Sequence, residues 1–151
     1  MREFRVGQIR QRIELLEQAS VSAAPDFTED RNNKSRNKNQ NWTSEYLDHS
    51  FAGIEHRIKS VGRFCQRTRL YFNATEINEI EDLLRRADDL VGELAIFEIE
   101  RESGKSIDTN LHNETFRELL AVSNKVLESY ERARQQALYR LYIKLQTETG
   151  V

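Results

Sequence analysis

Along most of the chain, apolar residues recur at steps of three and four, the rhythm of one buried helix face. Val6, Ile9, Ile13 and Leu16 predict a first helix over 3–20, with Arg5, Arg10, Arg12, Glu14 and Glu17 mostly off that stripe. So narrow a stripe suits a helix that covers one side of a larger assembly. Segment 21–42 loses the rhythm. It holds Pro25, the only proline, and no residue from Asp30 to Asn41 is apolar. Such a run buries too little surface to offset its chain entropy, so a disordered or mobile loop is expected. Loops of this length are often functional or linking.

A second helix is predicted over 43–73. Trp42 and Leu47 could staple its start around Thr43. Its seam is Leu47, Phe51, Ile54, Ile58, Val61, Cys65, Thr68 and Phe72, at alternating steps of four and three. Gly53 and Gly62 interrupt it, each at a cost of about 1 kcal/mol against alanine. They either permit close helix approach or are tolerated surface positions.

The third helix is predicted over 74–102, with Asn73 as its cap and Glu76 as the capping-box partner. One row runs Ile77, Ile80, Leu84, Ala87, Val91, Leu94, and a second runs Leu83, Leu90, Phe97. Two rows imply more than one neighbour. Gly104 suits the left-handed position after a helix end.

The fourth helix is predicted over 110–147, capped somewhere in Asn110–Asn113. Its wide apolar face includes Phe116, Leu119, Val126, Tyr130, Ala137 and Leu141. The three long helices should each measure roughly 45 Å at 1.5 Å per residue. Short connections favour antiparallel neighbours. The expected fold is all-α, a single-domain antiparallel four-helix bundle.

Composition agrees. The 151 residues suit one domain, and one proline with six glycines is too little punctuation for a sheet protein. No apolar run approaches the roughly 18 residues of a membrane span. Cys65 is alone, which leaves no disulfide and no cysteine-based zinc site, and it is expected in the core. The first residues, Met1-Arg2-Glu3-Phe4-Arg5-Val6, lack the apolar stretch of a signal peptide, so the expected location is cytoplasmic. The sequons at Asn41, Asn73 and Asn113 each fall at an expected helix start and are read as caps.

Charge changes the picture more. The net charge is −2, but 31–44 carries four bases and no acid, and 56–73 carries Arg57, Lys59, Arg63, Arg67 and Arg69 without an acid. Segment 74–102 holds ten acids against Arg85, Arg86 and Arg101, a net of −7. One reading is internal: the basic second helix flanks the acidic third. The other is a phosphate-binding surface of Lys34, Arg36, Lys38, Arg57, Lys59, Arg63 and Arg67, which would grip a nucleic-acid backbone without reading bases. Trp42 and Tyr71 could add stacking.

Catalytic signals are weak. No Glu-x-x-His pair suggests a carboxylate metal centre. His49 and His56 share a helix face but lie off the apolar seam, so a metal there is a remote reading. His112 falls near a helix start. Asp88 and Asp89 are adjacent and diverge. Nucleotide-binding and nucleophile motifs do not occur, so no enzyme activity, cofactor or small-molecule substrate is expected.

The stretch 137–145 is apolar nearly all round. Leu138, Leu141 and Leu145 fill one face, with Tyr142 beside them. Tyr139 and Ile143 then point to solvent, bordered by Arg140 and Lys144. Either the first helix covers this patch or Tyr139, Arg140, Tyr142 and Ile143 meet a protein partner. The leading expectation is a non-enzymatic helical interaction module, self-associating or an accessory subunit of a larger complex, with the Tyr139/Ile143 patch and the first helix as its contact surfaces. The alternative is a sequence-nonspecific nucleic-acid-binding subunit using loop 31–38 and the basic face of helix 43–73.

Overall fold

A computed structural model describes residues 1–20 and 51–150. The expected loop 21–42, with Lys34, Arg36 and Lys38, lies outside the described residues, as do Trp42, the cap at Thr43, Leu47 and His49. The described residues form four α-helices and no strand: α1 (Arg2–Gln18), α2 (Phe51–Thr68), α3 (Ala74–Glu102) and α4 (Thr109–Thr149). The chain is all-α.

Local chemistry sets several boundaries. Asn73 caps α3 as expected: the Glu76 N–H donates to Asn73 Oδ1 at 2.8 Å, and the Asn73 N–H donates back to Glu76 Oε1 at 2.8 Å. That cap needs extended backbone at Asn73, so the preceding helix cannot run to 73. α2 stops at Thr68, a short 3₁₀ turn follows over Arg69–Tyr71, and Phe72 is extended. α3 ends at Glu102, and Gly104 just beyond it, with a φ of +79°, lets the Lys105 N–H reach the Glu100 carbonyl at 3.0 Å. α4 begins earlier than expected. Asp108, not a residue of 110–113, is its cap and accepts from the Leu111 N–H at 3.1 Å. A carboxylate there also suits the positive end of the helix dipole. Asn113 therefore lies inside the helix. α4 spans 41 residues, about 60 Å, longer than its expected length.

α4 touches each of the other three helices. Contacts Phe97–His112, Arg86–Glu118 and Arg140–Glu76 show α3 running antiparallel to it. α1 also runs antiparallel: Ala19 meets Tyr130, Leu16 meets Arg134, and Arg5 meets Glu148. α2 runs with α4, since Arg57 meets Asn124 and Phe64 meets Tyr130. α1 and α2 thus follow one another along one flank of α4 and meet at Tyr130.

Two apolar clusters result. One joins Ile54 and Ile58 of α2, Ala87, Leu90 and Leu94 of α3, and Leu119 of α4. The other gathers Ile9, Ile13 and Leu16 of α1 with Val61, Cys65, Phe72, Ile77 and Ile80, and with Val126 to Leu141 of α4. Both expected rows of α3 are used, one toward each neighbour. Cys65 is buried in the second cluster, and burial followed by the nearby Glu81 pushes its thiol above the ordinary value.

Polar groups of α4 fasten the α1 end. The Tyr130 hydroxyl donates to the Ala19 carbonyl at 2.7 Å, and Arg134 Nη1 donates to the Leu16 carbonyl at 3.1 Å. Arg134 is itself buried and donates to Glu131 at 3.0 Å. α1 has no base in its own last turn, so Arg134 supplies the cation that its carbonyl end favours. Arg140 does the same for the α2–α3 corner, donating to the Tyr71 carbonyl at 2.8 Å and to Glu76 Oε1 at 3.0 Å.

Candidate functional site

The tail of α4 carries the most distinctive surface. Between Arg132 and Lys144 its exposed residues are Gln135, Gln136, Tyr139, Tyr142 and Ile143, none of them charged. In a chain with 32% charged residues, a charge-free solvent face of this length is unusual, and depletion of charge with enrichment of tyrosine is what interface centres show. Tyr139 is 68% exposed and points directly away from the core. Ile143 is 44% exposed beside α1. Tyr142 bonds through its hydroxyl to Glu17 of α1, and that bond, with a smaller contribution from burial, raises its pKa above the ordinary tyrosine value.

The first helix covers this patch only in part. α1 does pack over α4, but on Ala137, Leu138 and Leu141, and leaves Tyr139 uncovered. Arg140 is placed differently from its neighbours, half-buried and committed to Glu76 and Tyr71. The first helix was expected as a contact surface, without its exposed residues being singled out. Its outer face, Phe4, Gln8, Gln11, Leu15 and Gln18, is also uncharged and lies at the same end of the molecule. The signal was present as glutamines at helical spacing.

The second surface is the basic face of α2. Lys59, Arg63 and Arg69 line an open groove of about 530 Å³ between α2 and α3, with Gly62, Cys65 and Leu84 at its base. Nothing lies within 4 Å of a Cβ built on Gly62, so that glycine is a surface position and not a close helix approach. Lys59 is held at 2.7 Å by Glu55 of its own helix, and Arg63 donates to the Ser60 hydroxyl at 3.3 Å. Arg57 bonds to Asn124, and Arg67 is exposed. His56 sits within 3.5 Å of the Ser60 hydroxyl, and among the described residues no group of three His, Cys, Asp or Glu side chains is placed to hold a metal.

Charge pairing between α2 and α3 is sparse. Among the described residues the one ion pair near this seam, Arg69–Glu81, joins the 3₁₀ turn after α2 to α3. The acids of α3 are answered mainly by α4, through Arg132–Glu79 and Arg140–Glu76, and by their own helix through Arg85–Asp82 and Arg101–Glu98. Internal neutralisation of the α2 bases therefore accounts for little of the asymmetry. No helix among the described residues is long and apolar enough to cross a membrane. No family model matches the chain, and no curated protein or solved structure shows significant similarity to it.

Proposed function

We propose that this protein is a non-enzymatic interaction module of the cytoplasm, an antiparallel helical bundle that docks onto protein through the tail of α4 and the outer face of α1. The charge-free band of Gln135, Gln136, Tyr139, Tyr142 and Ile143 carries this reading. Exposed tyrosine and isoleucine on a rigid helix give contact area at low ordering cost. The test uses the tagged full chain, with nuclease treatment, in the native source. The wild type is expected to retain protein, whether another polypeptide or untagged copies of itself. Tyr139→Asp/Ile143→Asp, folded by circular dichroism, should retain at least about tenfold less. Equal retention by the variant removes the assignment of the surface, and no retention by the wild type removes the reading.

A second reading rests on the α2 bases that α3 leaves unanswered. Arg63 and Arg67, with Lys59 beside them, present a row suited to a nucleic-acid backbone. It predicts a mobility shift that weakens steeply with salt and is lost in Arg63→Glu/Arg67→Glu. Absence of any shift at low salt with the wild type excludes it.

A further inference from the structure

Two surfaces of the described chain lack an internal neighbour, and they are complementary. The first is a groove beyond the start of α3. Glu76, in the first turn of α3, sits level with Arg140, yet α4 continues to Thr149 and α1 continues beside it to Arg2. About 13 Å of the α1–α4 seam therefore runs on without a third helix. The space left is an open groove of about 400 Å³. Ile9 and Ile143 give it apolar walls, and Arg5, Arg12 and Lys144 make it basic, with Glu148 already engaged by Arg5 at 3.6 Å.

The second surface is the outer stripe of α3. Ile96 and Ile99 are 57% and 62% exposed and lie opposite the face that packs on α2 and α4. Gly92, one turn earlier on the same stripe, would meet nothing within 4 Å if it carried a Cβ, so nothing inside the described fold accounts for a glycine there. Asp88, Asp89 and Glu93 border the stripe and form no ion pair among the described residues. It is a helix face with an apolar centre, a position open to close approach, and acidic edges.

We infer that the α3 stripe of one copy of this chain occupies the α1–α4 groove of another, supplying the third helix that the groove lacks. This rests on the interaction-module reading and names its partner as a second copy. Apolar centre meets apolar walls, and acidic edges meet Arg12 and Lys144. The basic face of α2 is a poorer seat for the stripe because its groove offers Leu84 alone as an aliphatic wall. The two surfaces differ, so a single contact is heterologous and runs on as a ring or chain, unless two copies make both contacts at once as a two-fold pair.

Mixing distinguishes this from contact through one self-complementary patch. By light scattering, the wild type should exceed its 17.8 kDa monomer mass by at least twofold and dissociate as salt rises. Ile143→Asp, which spoils the groove, and Ile96→Asp/Ile99→Asp, which spoils the stripe, should each be monomeric. An equimolar mixture of the two should recover a one-to-one dimer, because each retains the surface the other has lost. The milder Ile143→Gln and Ile96→Gln/Ile99→Gln should give the same pattern, with circular dichroism confirming the fold. A monomeric wild type, association that survives both variants, or a mixture that stays monomeric overturns the inference. Retention of a different protein by a monomeric wild type would leave the module reading standing while this one falls.

Discussion

The two ends of the molecule are held by different means. Where α2, α3 and α4 pack together, the buried cluster is entirely aliphatic, from Ile54 to Leu119. Where α1 packs, the aliphatic stripe is short, and directed hydrogen bonds from Tyr130 and Arg134 fix the helix in place. The contrast shows a division of labour. Three helices that share two rows of contacts find their register through packing. One helix with a single narrow stripe could slide along α4, and bonds to its last carbonyls stop it.

The largest expected effect tests the junction. Tyr130 is fully buried, with its ring edge-on to Phe72 and roughly parallel to Phe64, and Tyr130→Ala should cost about 3–5 kcal/mol in denaturant unfolding. Leu90→Ala at the aliphatic end should cost about 2–5 kcal/mol, spread over α2, α3 and α4 alike. Arg134→Met should cost about 1.5–3 kcal/mol, with loss of hydrogen-exchange protection confined to α1. Protection lost equally at both ends would erase the distinction between them.

A pH prediction sharpens the same point. Burial pushes the Tyr130 hydroxyl well above the ordinary tyrosine value of 10.0. The folded state then holds the proton more tightly than the unfolded chain does. Stability from this group is full below pH 10 and declines as pH rises through that value toward the higher folded one. Tyr130→Phe should cost about 1 kcal/mol at neutral pH and flatten this alkaline decline. The smallest effect belongs to Ser123, buried on α4 between Leu119 and Val126, whose hydroxyl finds no partner among the described residues. Ser123→Ala should be neutral or stabilise by up to about 1 kcal/mol, since no hydrogen bond is lost and a desolvated hydroxyl is removed.

Much of the helical framework was legible in the sequence. The rows of α3, the seam from Ile54 to Phe72, the Asn73–Glu76 box and the Gly104 stop all follow from local spacing and cap chemistry. The clamps were not legible, because Arg134 and Arg140 bond to carbonyls of distant segments, and a carbonyl carries no side-chain signature. The α4 cap was misplaced for a related reason: Asp108, Asn110 and Asn113 are all competent, and the choice depends on how far the apolar face of α4 extends toward α3. Tyr139 and Ile143 were readable as exposed from their angle on α4. The exposed stripe of α3 was not, although Ile96 and Ile99 were the two isoleucines that neither predicted row used.

The antiparallel seating of α1 also sets an order of failure under load. Arg2 and Arg5 lie beside Glu148 at the tip of α4, and the bonds from Tyr130 and Arg134 lie at the far end, at Ala19 and Leu16. A pull on the N-terminus should unzip α1 turn by turn from its weak end, with force rising toward a final rupture at Tyr130 and Arg134. Because Arg2 and Glu148 sit at the same tip, drawing the two ends apart should peel α1 from α4 in that order whichever end is tethered, gradually at first and abruptly at the last bonds.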